Sequence, residues 1–142
     1  MTFIHDRKTE GVVDPVHGVS LHLAHRWEEP VGRFPNFEYI CCYEGPIASF
    51  KFRLIVHQEQ RRYVAKGAHV DENLDVEAQL IEPSIQQGLA EAGTRSLSSA
   101  EYEKIKHEIS IGVTSWWTPR YLDGTPIIPD FKVQFLTKSP MA

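Results

Sequence analysis

A chain of 142 residues lies near the commonest domain size, and its 42% hydrophobic and 24% charged residues are those of a globular protein with one core. A formal net charge of -4 argues against general nucleic-acid binding, which needs a basic field to displace counterions from phosphate. No run approaches the roughly 20 apolar residues of a membrane helix. The opening Met1-Thr2-Phe3-Ile4-His5-Asp6-Arg7-Lys8 also lacks the apolar run of a secretory signal. A cytoplasmic, single-domain protein is the expectation, with no membrane partner.

Residues 1–18 carry no sustained periodicity and contain Gly11, Pro15 and Gly18, so they read as an irregular arm. Val19, Leu21 and Leu23 alternate with Ser20, His22 and Ala24, which is strand periodicity running toward Trp27. A loop spans Gly32 to Asn36. Phe37 to Tyr43 is rich in aromatic and β-compatible residues and ends at Gly45-Pro46, a turn signature.

The adjacent Cys41 and Cys42 fall on opposite faces of that strand and read as two free thiols. Phe50, Phe52, Leu54 and Val56 then line one strand face, with Lys51 and Arg53 on the other. After a polar turn, Tyr63 to Val70 can return as a further strand. Short turns between successive strands give an antiparallel meander over about 19–70.

The pattern then changes. Leu74, Ala78, Ile81, Ile85, Leu89 and Ala92 share a helical face, with Asn73 as a cap and Gly93 as a stop, predicting a helix over about 74–92. Pro83 interrupts it, because proline removes a hydrogen bond and clashes with the preceding turn. A rival reading makes Leu74 to Leu80 an alternating strand, with Pro83 opening a shorter helix. The interrupted helix is preferred.

Ser98-Ser99-Ala100-Glu101 is a capping box, followed by Tyr102, Ile105 and Ile109 at helical spacing, so a helix runs from Ser99 to about Ser110. Beyond it, Ile111 to Thr114 weaken helix propensity. Asp123-Gly124 marks a tight turn, and alternation around Phe131, Val133 and Phe135 predicts a last strand over about 130–136. Residues 137–142 read as a second arm. The expected class is α+β: the meander packed against two or three helices, plus that C-terminal strand.

Motifs with known chemistry are sparse. His17, His22 and His25 are the tightest histidine group, but strand alternation puts His22 on the face opposite the other two, so no metal site or cofactor is expected. His107-Glu108 begins like a zinc-protease helix, yet Ile111 stands where the second histidine belongs. Nucleophile elbows and phosphate-binding glycine loops do not occur. His57 and Glu59 share a strand face as a candidate base and orienter, at a polar strand end that promises little burial.

The most unusual segment is Trp116-Trp117-Thr118-Pro119-Arg120-Tyr121. Tryptophan, tyrosine and arginine dominate binding hot spots because they desolvate large area while keeping a polar handle. Trp116, Trp117, Arg120 and Tyr121 are therefore the candidate interface, with one indole expected near the surface. The competing account has both indoles plugging the core.

The expected function is a non-catalytic protein-interaction module: an inhibitor or immunity-type partner, a regulatory protein, or an assembly subunit, acting on a protein partner or as a homo-oligomer. The alternative is a small enzyme or ligand carrier with an apolar pocket between sheet and helices. That pocket would be lined by Tyr39, Phe52, His57, Tyr63, Trp116 and Trp117.

Overall fold

The computed structural model describes residues 1–6, 8–26, 37–56, 63–64, 67, 77–118, 120–126 and 132–137. Its centre is a seven-stranded sheet in the order β1-β2-β3-β4-β5-β7-β9, beside a two-stranded sheet of β6 and β8. The strands are β1 (Ile4–Asp6), β2 (Gly11–Asp14), β3 (Val19–Arg26), β4 (Phe37–Glu44), β5 (Ser49–Val56), β6 (Tyr63–Val64), β7 (Glu77–Ile81), β8 (Arg120–Tyr121) and β9 (Lys132–Leu136). Two helices, α1 (Glu82–Glu91) and α2 (Ser99–Trp117), pack against the large sheet. The class is α+β.

Period-two patterning decides which side chains meet. Leu21, Tyr43, Phe52, Leu54, Ala78 and Leu80 point inward and are buried, where α2 supplies Ile105, Ile109 and Val113 and α1 supplies Ile85. Each fully buried aliphatic or aromatic side chain contributes about 1.5–3 kcal/mol relative to exposure. Cys41 is buried and Cys42 half-buried, on opposite faces, and both thiols are free.

The first eighteen residues are not an irregular arm. Strands β1 and β2 pair antiparallel, Ile4 opposite Val13, and extend the sheet beyond β3. They escape a periodicity search because they are only three and four residues long. Gly11 lets β2 lie close to β3, since a Cβ there would come 1.9 Å from the Leu21 carbonyl oxygen.

A second difference lies in the middle. Residues 77–81, expected in a helix over 74–92, are strand β7, paired antiparallel with β5. Pro83 then sits in the first turn of α1, where its missing N–H costs nothing. The alternation Ala78, Gln79, Leu80 outweighs the helical spacing because β5 offers a sheet edge to complete. Where β7 turns into α1, the buried Ser84 hydroxyl takes over the ladder, accepting from the Arg53 N–H at 2.8 Å and donating to the Ile81 carbonyl at 2.6 Å. Residues 71–76 lie outside the described residues.

Of the expected strand over 63–70, residues 63–64 form β6, which joins the small sheet rather than the meander, and Gly67 lies in a turn. Helix α2 begins at the predicted capping box, with the Ser98 hydroxyl accepting from the Glu101 N–H and the Glu101 carboxylate accepting from the Ser98 N–H. It continues past Ser110 to Trp117, because Val113 and Trp116 extend the buried stripe of Ile105 and Ile109. Gly112 permits this course: a Cβ there would lie 2.4 Å from Leu21 Cδ1. The last strand, β9, lies parallel to β7 with Val133 opposite Ala78. Residues 138–142 lie outside the described residues.

Candidate functional site

The aromatic segment begins in the last turn of α2 and ends in a tight turn after β8. Both indoles are buried, Trp116 at 4% and Trp117 at 9% exposure, so neither is the surface residue expected of the pair. The helix ends there, and the two rings stack on each other at 5.4 Å between centroids while Trp117 also lies 4.9 Å from the Tyr39 ring. Aromatic pairs at these spacings favour tilted or offset geometry, as here. Thr118 leaves the helix with φ -59° and ψ 122°, the extended conformation demanded of a residue preceding proline.

Arg120 and Tyr121 then form β8, which lies parallel to β6 with Tyr63 opposite Arg120 and Val64 opposite Tyr121. Two groups of candidate residues thus meet in one small sheet. His57 lies outside the described residues, as does the Tyr63 side chain. Tyr39 and Phe52, the other pocket candidates, are core residues.

After β8 the chain reverses within five residues. The Tyr121 N–H donates to the Thr125 carbonyl at 2.8 Å, and the Gly124 N–H donates to the Tyr121 carbonyl at 2.8 Å. The Arg120 guanidinium donates to the Gly124 carbonyl at 2.9 Å, and the Thr125 N–H to the Asp123 carboxylate at 2.9 Å. Gly124 has φ +91°, a backbone conformation that glycine adopts without strain. This cage holds Leu122 at the tip, 72% exposed, beside the partly exposed Arg120 and Tyr121.

A second turn has the same logic and was not legible as a site. Asp14, with 1% exposure, accepts at Oδ1 from the Val16 and His17 N–H groups at 3.0 and 3.2 Å. Its Oδ2 meets His17 Nδ1 at 2.8 Å, and the Gly18 N–H donates to the Asp14 carbonyl at 2.9 Å. Burial pushes the Asp14 carboxyl up, but the hydrogen bonds from His17 and Val16 outweigh it and leave it below the usual carboxylate range. Val16 is held at the tip, 86% exposed. The sequence signal is aspartate followed by proline at a turn start, with glycine closing it.

The remaining chemistry-bearing groups are tied into the fold. Glu108 is buried and accepts from the Tyr43 hydroxyl at 3.2 Å. Burial, with the Glu108 carboxylate adding to it, pushes the Tyr43 phenol up. Burial likewise raises both thiols, so the reactive thiolate is disfavoured at Cys41 and Cys42. Glu38 pairs with Arg53, and Glu82 with Lys106 at 3.0 Å.

A bulge at Ala24 shifts the register so that His25 lies opposite Ile40 while His22 lies opposite Cys42. His22 and His25 therefore share the sheet face away from the helices, and His17 is engaged by Asp14. Among the described residues, no three histidine, cysteine, aspartate or glutamate side chains form a group able to hold a metal ion. No described helix is long and apolar enough to cross a membrane.

Comparison with family models, with curated proteins and with solved structures returns no significant match.

Proposed function

We propose that the chain is a non-catalytic protein-interaction module that engages a protein partner through the turn from Arg120 to Thr125. The observation that carries this reading is the caged tip: a large aliphatic side chain, Leu122, exposed on a backbone fixed by four hydrogen bonds. What supports the reading is the company Leu122 keeps: arginine and tyrosine, residue types enriched in hot spots, flank it on a rigid turn. Because the turn is already ordered, binding through it spends little conformational entropy. In this reading Trp116 and Trp117 belong to the core and do not touch the partner. A cytoplasmic setting is supported by the two free thiols.

The test compares the wild type with Leu122→Asp, each purified from source cells, with bound protein identified by mass spectrometry and affinity measured on the purified pair. The expected result is a stoichiometric protein partner whose affinity falls roughly tenfold or more in the variant, the order of a hot-spot loss. Unchanged thermal unfolding would show that the variant folds. A partner retained with full affinity by Leu122→Asp overturns the assignment, as does a stoichiometric small molecule in place of a protein.

A further inference from the structure

Two residues before Leu122, the partly exposed Arg120 folds its side chain along the same turn. Arg120 bridges to Pro126 across the hairpin, the Tyr121 N–H closes on the Thr125 carbonyl, and Arg120 Nη1 donates to the Gly124 carbonyl at 2.9 Å. That last bond carries the guanidinium from the base of the turn toward its tip. It also fixes the fork with Nη1 filled. The Nε–Nη2 edge is left unfilled, since among the described residues the Arg120 side chain has no other hydrogen bond or ion pair.

A guanidinium grips a carboxylate through two parallel N–H groups, and the unfilled edge offers such a pair. Arg53 and Arg95 use this capacity within the chain, on Glu38 and on Glu101 at 2.7 Å. The acid nearest to Arg120 in sequence, Asp123, accepts from the Thr125 N–H and is engaged within the chain. Covering an arginine while its donors stay unfilled costs binding energy, so a partner seated on Leu122 has to bring an acceptor to Arg120.

Resting on the reading of Leu122 as a contact residue, we propose that the partner presents a peptide segment with one carboxylate beside apolar side chains. The apolar side chains cover Leu122, and the carboxylate pairs with the Nε–Nη2 edge of Arg120. A backbone carbonyl would leave the positive charge without a counter-charge, whereas an aspartate or glutamate fills both donors and neutralises them. A phosphoryl group fits the same fork, but its charge of about -1.5 to -2 is repelled more strongly by the exposed Asp123 carboxylate. With a formal net charge of -4 on the chain, the pairing acts at contact rather than by long-range attraction.

The test selects binders from a random peptide display library on the immobilised full chain, in parallel on Arg120→Gln and Leu122→Asp. The wild type is expected to enrich peptides carrying Asp or Glu at a fixed spacing from apolar residues. Arg120→Gln is expected to keep the apolar preference, lose the acidic one, and bind a peptide selected on the wild type about tenfold more weakly, the order of one charge-assisted hydrogen bond. Replacing the acid of that peptide by its amide should weaken binding to the wild type by a similar factor and to Arg120→Gln hardly at all. This change is made on the peptide, so it tests the pair even where the variant turn loosens. Leu122-dependent peptides without an acid, or an acid that serves Arg120→Gln as well as the wild type, overturn the proposal and leave the Leu122 reading standing. Binders indifferent to Leu122→Asp, or no binders at all, overturn both. Tighter binding with phosphoserine in place of the acid assigns a phosphate to Arg120 and likewise overturns the proposal.

Discussion

The Asp14 turn and the Asp123 turn each hold an aliphatic side chain in water on a hydrogen-bonded frame, but the frames are anchored differently. In the first, the carboxylate itself is buried and gathers two backbone N–H groups and an imidazole, so one side chain carries the turn. In the second, the aspartate is exposed, and the turn hangs from the Arg120 guanidinium and from backbone hydrogen bonds. The lesson is about fragility. A turn organised by one buried acid fails by a single substitution at that acid, whereas a turn held by several separate bonds survives the loss of its aspartate.

The largest expected effect comes from the core at the end of α2, just before the second turn in the chain. Trp117→Ala should destabilise the chain by about 3–5 kcal/mol, as for other buried aromatics cut to alanine, measured by urea unfolding. A loss below about 1 kcal/mol would mean that Trp117 does not support the fold at all. Asp14→Ala should come next, lowering the melting temperature and exposing the Val16 and His17 amides to rapid hydrogen exchange, while the Tyr121 and Gly124 amides stay protected. Equal loss of protection in both turns would show that they are coupled, which would break the contrast.

Acid sharpens it further. Asp14 is held below its ordinary carboxylate value, so its contribution is present above about pH 4 and fades as pH falls through the lower folded value. Asp14→Asn should reduce the dependence of thermal stability on pH between about pH 5 and about pH 2. Among the glycines, Gly124→Ala should cost about 1–2 kcal/mol because φ +91° suits no L side chain, while Gly18→Asn, at φ +68°, should cost less than about 1 kcal/mol because asparagine tolerates that conformation. Asp123→Asn should be smallest, under about 0.5 kcal/mol, since the amide oxygen can still accept from the Thr125 N–H.

What the residues disclosed follows the length of the pattern they offered. Strands of eight residues such as β3 and β5 were legible because alternation repeats several times within them. The Ser98 capping box fixed the start of α2, but its end was hidden: Gly112 reads as a helix breaker until Leu21 is seen to occupy the space of its Cβ. Residues 77–81 fit two periods at once, and only the edge of β5 decides between them. In the candidate site, Asp123-Gly124 announced the turn, and Arg120 and Tyr121 flank it as expected. Nothing in the residue types marks Leu122, because exposure is a property of the folded surface. For the tryptophans the residues left two accounts open, one indole near the surface or both in the core, and the packing of Trp117 on Tyr39, far away along the chain, decides for the core.

The parallel pairing of β7 with β9 has a consequence in time. The hairpins from β1 to β5 join near neighbours in the chain, so they can form early and cheaply. Strand β9 instead closes against β7 across both helices, setting residues as distant as Lys132 and Glu77 side by side. Long-range closure is paid for before its contacts repay it, which slows folding. During that interval the outer edge of β7 stands open, with Ala78 and Leu80 awaiting cover. The order of assembly should thus run from the N-terminal hairpins to the C-terminal strand, leaving β9 as the step that governs how long an aggregation-prone intermediate survives.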